Sequence, residues 1–169
     1  MPTHIAFLRA INVGGTGKLK MGSLKSICQS IGFQNPRTYI ASGNLAFESN
    51  EPQTSAQQKL ENALTFGDNK PISVVMRSPD DISTMISANP FSDKPGNRVI
   101  VLMLDRDTSE TDISSAKNRT NEELHLGNRA IFIYYPDGQG KSKLRLPAMT
   151  EGTARNMNTI EKVKALAKN

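Results

Sequence analysis

Apolar residues along this chain recur at two spacings, those of buried strands and of one-sided helices. Ile5, Ala6, Phe7 and Leu8 run in sequence, with Ile11 and Val13 beyond them, which predicts a buried strand over 4–10. Gly14-Gly15-Thr16-Gly17 breaks it. Leu24, Ile27, Cys28 and Ile31 fall at i, i+3, i+4 and i+7, one face of a helix, and Gly32 stands where such a helix stops. A short strand over 37–41, the turn Ser42-Gly43-Asn44 and a partner strand beginning at Leu45 read as a hairpin. Ala56, Leu60, Ala63 and Leu64 define a second helix ended by Gly67, and Ile72, Val74 and Val75 a strand over 71–76. The order to this point is β-α-β-β-α-β.

The remainder follows a similar plan. Ser78-Pro79-Asp80-Asp81 is a helix start, with Ser78 as N-cap, proline at the first position and acids in the first turn. Ile82, Met85 and Ile86 form its apolar face. After a proline-rich loop over 89–97 comes the most apolar strand, 98–104, and then a weakly patterned helix over 107–118. Strands over 124–126 and 130–135 are joined by Gly127-Asn128, a hairpin dipeptide. Thr153 can cap a last helix bearing Met157, Ile160, Val163 and Ala167 on one side. The expected fold is therefore α+β, with antiparallel sheets in two ferredoxin-like, βαββαβ-type subdomains over 1–78 and 79–169, the second carrying a C-terminal helix. No repeat is visible in the sequence itself.

Composition narrows the class. With 169 residues, 37% hydrophobic and 22% charged, the chain is long enough for one domain or two small ones and rich enough in apolar residues for a core. No run of about 18 apolar residues predicts a membrane span. Met1-Pro2-Thr3-His4 lacks a basic stretch followed by an apolar one, so no secretory signal is expected and the protein is placed in the cytoplasm. The single cysteine, Cys28, cannot form an internal disulfide, and with His4 and His125 far apart no metal site or cofactor is expected.

Charge changes the picture more. The net charge is +5, too small to name a partner. Residues 1–50 carry five basic residues against one acid, net +4, and residues 136–169 carry seven against three, again +4. The middle holds nine basic and twelve acidic residues, net −3. Two basic ends could converge on one face, which would attract phosphates or other anions. The alternative is an ordinary solvated surface.

Several segments could carry chemistry. Asn12-Val13-Gly14-Gly15-Thr16-Gly17-Lys18 lies between a strand and a helix, where a backbone nest can hold phosphate. It is not a P-loop, because Leu19 follows Gly17-Lys18 where a Mg²⁺-binding hydroxyl is required and position 12 is Asn. It is not the dinucleotide G-x-G-x-x-G either, because Lys20 occupies the third glycine position. A plain connecting turn and an anion-binding loop both remain open. Ser42 and Asn44 are either ligand donors or parts of a hairpin turn in which Gly43 or Asn44 takes positive φ. Ser42 has no histidine–acid partner at telling spacing, which argues against a serine hydrolase. Lys141-Ser142-Lys143-Leu144-Arg145 either clamps phosphate or is an exposed turn. Arg155 could reach an anion from the last helix start, and Asn156 and Asn158 are poor helix formers whose placement asks for a reason beyond propensity. Asn118-Arg119-Thr120 fits a glycosylation sequon that has no secretory context. Tyr134 and Tyr135 either stack on a ligand or pack at the rim of the core.

These segments together resemble the DUF1697 family of uncharacterised bacterial proteins. The resemblance is carried by Phe7-Leu8-Arg9-Ala10-Ile11-Asn12-Val13-Gly14-Gly15, Lys20-Met21-x-x-Leu24, Thr38-Tyr39-Ile40-Ala41-Ser42-Gly43-Asn44-Leu45-x-Phe47, Tyr135-Pro136-x-Gly138, Lys141-Ser142-Lys143-Leu144 and Thr153-Ala154-Arg155-Asn156-Met157-Asn158-Thr159. It spans nearly the whole chain and implies two ferredoxin-like subdomains. Family members usually have Trp where this chain has Met157 and Gly where it has Ala10. The family supplies positions and a fold but no mechanism.

Its motifs coincide with the basic ends. Arg9, Asn12, Gly14, Gly15, Lys18, Ser42, Gly43, Asn44, Lys141, Lys143, Arg155, Asn156 and Asn158 are therefore the candidate ligand-binding residues, expected to line a basic cleft between the subdomains. The expected function is binding of a small anionic or phosphorylated ligand, a nucleotide or a nucleic acid, by a monomer or weak homodimer without membrane contact. A metal-independent enzyme acting on a phosphorylated substrate is the first alternative, with no catalytic residue assignable. A self-associating structural protein is the second.

Overall fold

In a computed structural model, which describes residues 1–9, 21–39, 43–66 and 70–168, the patterned segments assemble into two four-stranded antiparallel sheets. The elements of the first are β1 (Thr3–Leu8), α1 (Met21–Ser30), β2 (Gln34–Tyr39), β3 (Asn44–Glu48), α2 (Gln53–Ala63), a small hairpin of β4 (Thr65–Phe66) and β5 (Lys70–Pro71), and β6 (Val74–Arg77). There follow α3 (Pro79–Ser87), β7 (Val99–Met103), α4 (Thr111–Ser114), β8 (Glu123–Gly127), β9 (Ala130–Tyr134), β10 (Thr153–Asn156) and α5 (Met157–Ala167). The chain divides into two units, Met1–Ile82 with Lys162–Asn169, and Ser83–Glu161.

The strand orders are β2-β3-β1-β6 and β10-β7-β9-β8. Numbered within its own unit and read from the fourth strand, each sheet runs 4-1-3-2, with every neighbouring pair antiparallel. This is the ferredoxin-like order, present twice.

In the first unit α1 and α2 cover one face of the sheet. Strand residues Ala6, Leu8, Leu45, Phe47, Val74 and Met76 bury themselves against Leu24 and Cys28 of α1 and Ala56 and Leu60 of α2. Phe33 stacks on Phe47 with ring centroids 4.1 Å apart. Gly32, at φ +91°, turns the chain after α1 so that the Phe33 N–H returns to the Cys28 carbonyl at 3.0 Å. Cys28 is a small core residue as expected, and burial pushes its thiol up to about 12.

Arg37 holds the end of α5 in this unit. Its Nε and Nη2 donate to the Leu166 and Ala167 carbonyls at 2.9 and 3.2 Å, and Nη1 donates to Glu48 at 3.2 Å and to the Asn35 carbonyl at 2.6 Å. A cation on the last carbonyls of a helix satisfies acceptors that have no partner within it and opposes the dipole. Arg37→Ala is expected to cost about 2 kcal/mol, the scale of charged hydrogen bonds at a largely buried site, and Arg37→Lys is expected to recover little of it because lysine lacks the planar fork. Urea unfolding of the three proteins checks this; a loss below about 0.5 kcal/mol, the ordinary surface range, contradicts it.

The second unit keeps the strand order but not the helices. Ile100, Leu102, Ile131 and Ile133 of the sheet pack on Leu144, Leu146 and Ala148 of the segment between β9 and β10, where the second helix of a ferredoxin-like unit would stand. That segment holds only the 3-10 turns Gln139–Lys141 and Pro147–Thr150. The helix expected over 107–118 is likewise reduced to α4. Asp112 accepts from the Ser109 N–H and from Arg106 at 2.8 Å, and Arg106 also reaches Glu151 at 2.9 Å, so short polar side chains tie the backbone into loops.

Two boundaries shift. Thr153 does not cap the last helix: residues 153–156 form β10, paired to β7, and the Asn156 Oδ1 caps α5 by accepting the Thr159 N–H at 2.8 Å. The β8–β9 hairpin turns on Asn128-Arg129, with Arg129 at φ +54°, while Gly127 pairs with Ala130 inside the ladder. Ser78 does cap α3, in a reciprocal box. Its Oγ accepts the Asp81 N–H at 3.0 Å and its own N–H reaches Asp81 Oδ2 at 2.9 Å.

Candidate functional site

The cations the sequence singled out near position 142 stand at a built groove in the second unit. Two chain segments make its walls. Residues 115–122 lead from α4 into β8, and residues 136–146 leave β9. A reciprocal backbone bridge between Lys117 and Arg145, 2.9 Å in each direction, holds them side by side. Asn118 at φ +59° and Gly138 at φ +89° make the turns, asparagine and glycine being the residues that tolerate the left-handed region best.

Glu122 is the fastening between the walls. Its side chain is buried and its carboxylate accepts from the Thr120 N–H at 2.7 Å and from the Ser142 hydroxyl. The Arg119 Nε donates to the Glu122 carbonyl at 2.8 Å, and the Ser142 Oγ in turn accepts the Leu144 N–H at 3.1 Å. The donation from Ser142 and then that from Thr120 hold the carboxyl below its usual range, outweighing burial.

A groove of about 340 Å³ lies between these walls, lined by Asn118, Arg119, Thr120, Lys141, Ser142 and Lys143. This is the size of a small-molecule site. Arg119, Lys141 and Lys143 are exposed, and among the described residues none of them forms an ion pair with a carboxylate. Beside it, sharing Thr120, Lys141 and Ser142, is a recess of about 30 Å³ lined also by Asn121, Glu122, Tyr135, Asp137 and Gly138. Asn121 Nδ2 donates to Asp137 Oδ2 at 2.9 Å.

Asn12, Gly14, Gly15, Lys18 and Ser42 lie outside the described residues. In the first unit, the Arg9 N–H continues the ladder to the Ser73 carbonyl at 2.9 Å. Gly43, at φ +80°, presents its carbonyl to the Leu8 N–H at 2.8 Å. Asn44 is fully buried, and its Nδ2 donates to the Tyr39 carbonyl at 3.0 Å across the β2–β3 connection. In the second unit Arg155 is buried on β10 and donates to Thr153 Oγ1 at 2.7 Å and to the Ala154 carbonyl at 2.9 Å, and burial pulls its guanidinium down to about 10. Asn156 is the cap already described, and Asn158 is exposed in the first turn of α5. Of the residues the sequence singles out, Lys141 and Lys143 line the groove. Arg119 and Thr120 are marked in the sequence only by the Asn118-Arg119-Thr120 sequon and Glu122 by no motif, and they meet the lysines through the Lys117–Arg145 bridge and the Glu122–Ser142 hydrogen bond.

Tyr135 is buried in the core, and Tyr134 packs against Phe91 with centroids 5.8 Å apart, so neither ring is offered to the groove. Among the described residues no three His, Cys, Asp or Glu side chains gather as metal ligands, and no helix is long and apolar enough to cross a membrane.

The fold defines an α+β protein of two ferredoxin-like units. The family model described as "Protein of unknown function (DUF1697)" matches residues 1–132, and the chain belongs to that family. The conserved bacterial protein SP0830 from Streptococcus pneumoniae has a similar structure, with a TM-score of 0.79 and 22% sequence identity over 100% of this chain and 99% of that one. That likeness establishes the fold. No curated protein sequence matches.

Proposed function

We propose that the chain binds an anionic, phosphorylated ligand, nucleotides and nucleic acid being the classes to test first, and that the groove of the second unit is where it does so. The observation that carries this reading is the convergence of Arg119, Lys141 and Lys143 on one groove without carboxylate partners among the described residues. Unneutralised cations beside hydroxyl and amide donors raise the local concentration of anions and bind them by charge-assisted hydrogen bonds. Among the described residues Glu122 forms no ion pair with them, and its carboxylate oxygens accept from Ser142 and Thr120.

Calorimetric titration with inorganic phosphate, a nucleoside triphosphate and a short oligonucleotide tests the proposal. The Lys141→Ala/Lys143→Ala double variant is expected to bind about tenfold or more weakly, and for the oligonucleotide its salt slope is expected to fall by about 1–2. Absence of binding to all three, or affinity unchanged in the double variant, overturns it.

A further inference from the structure

Groove and recess differ in sign, and a ligand filling both must differ in the same way. The groove offers Arg119, Lys141 and Lys143, whereas the recess beside it is lined by two carboxylates, the exposed Asp137 and the buried Glu122, whose oxygens already accept from Ser142 and Thr120. Asp137 is exposed, and among the described residues only its Oδ2 is engaged, by Asn121 at 2.9 Å, which leaves Oδ1 to accept from a ligand. The recess measures about 30 Å³. A single water needs at least about 10–15 Å³, so this space takes one or two hydroxyl groups and not a ring. Among the described residues no aromatic face lines the groove. A base stacking on the protein therefore has no platform here.

We infer that the ligand is a phosphate monoester of a polyhydroxy compound, a sugar phosphate in class. Its phosphate would sit between Arg119, Lys141 and Lys143, and its hydroxyls would donate to Asp137 in the recess. This rests on the anion-binding reading above and sharpens it. A carboxylate accepts hydrogen bonds from a neutral diol but repels a second phosphate. Asp137 thus selects against polyphosphates and against a nucleic-acid backbone laid through both spaces. Lys141, shared by groove and recess, lies at the join and can meet both the phosphate and the first hydroxyl.

The experiment titrates the unsubstituted protein with inorganic phosphate, cyclohexyl phosphate, glucose 6-phosphate and ribose 5-phosphate, followed by amide NMR shifts. At least one sugar phosphate is expected to bind about tenfold tighter than cyclohexyl phosphate, which has a comparable ring but no hydroxyls, with shifts at 119–121 and 137–143. Asp137→Ala is expected to erase that preference while leaving inorganic phosphate no weaker. Asp137 is exposed, so the variant is expected to fold, and the comparison of ligands on the unsubstituted protein decides the matter without it. If phosphate and cyclohexyl phosphate bind and neither sugar phosphate binds more tightly, the inference is overturned and the anion site stands. If a tripolyphosphate control outcompetes every monoester, selection by Asp137 is overturned. If nothing binds, the anion-binding reading itself fails.

Discussion

Gly152→Ala is expected to cost the second unit at least about 3 kcal/mol, a large part of the stability of an ordinary domain. A β-carbon at this position would lie 2.2 Å from the Met103 carbonyl oxygen, 3.2 Å from its carbonyl carbon and 2.8 Å from Leu104 Cδ2. The first two are backbone atoms of β7 at the point where Thr153 of β10 pairs with Met103. Relief therefore requires the two strands to part. Every paired residue of β10 follows within four positions, so the separation would propagate through the edge of the sheet. Gly96→Ala provides the contrast. Its β-carbon would come within 2.0 Å of the Asn158 side-chain oxygen, a closer approach, yet that amide belongs to an exposed residue and can rotate away. Gly96→Ala is expected to cost under about 1 kcal/mol. Denaturant unfolding of both variants, with amide exchange read at β10, measures the difference. If the two melt alike, proximity rather than the mobility of the obstructing atom sets the cost, and the argument fails.

The sheets were legible in the sequence because buried strands announce themselves by composition. Ile5–Leu8, Leu45–Phe47, Val99–Met103 and Ile131–Ile133 are apolar runs bounded by turn residues, and all became strands. The duplicated ferredoxin-like plan was legible in the order of the elements, although the residue equivalences behind it are geometric. Arg77 ends the fourth strand of the first sheet facing Ile5, and Arg155 takes the like place in the second sheet facing Val101. Each is buried and each is followed by a capping residue and a helix, Ser78 before α3 and Asn156 before α5. Ile82 and Ile160, five residues beyond each arginine, are the other match between the two segments. Ser78 was found by its Pro-Asp-Asp context, but Asn156 was hidden behind Thr153, whose capping propensity lost to pairing with β7. The groove was half legible for a similar reason. Counting charge by segment put Arg119 in the acidic middle of the chain and Lys141 in the basic end, and it takes the Lys117–Arg145 bridge and the Glu122–Ser142 hydrogen bond to show that they belong to one wall pair.

Glu122 provides the second large effect and a pH signature that separates its role from packing. Glu122→Ala leaves the Thr120 N–H and the Ser142 hydroxyl without their common acceptor at a part-buried place, and is expected to cost about 2 kcal/mol at neutral pH. Glu122→Gln keeps the volume but offers a single acceptor oxygen and sets an NH₂ where another acceptor stood, so it is expected to recover only part of the loss. The sign of the pH effect follows from the lowered pKa of the carboxyl. In the folded protein the carboxylate stays charged to lower pH than in the unfolded chain. Its contribution is thus fully present above the ordinary glutamate value near 4.5 and fades as the pH falls through the lower folded value. Asp112 is lowered in the same direction by Arg106, so the protein as a whole will lose stability in acid whether or not Glu122 contributes. Subtracting the stability of Glu122→Gln from that of the unsubstituted protein at each pH removes that background. The difference is expected to be largest at pH 7, little changed at pH 5, and much reduced at pH 3. A difference that stays constant across this range would mean that Glu122 acts by shape alone, and that the walls of the groove are held together by something other than its charge.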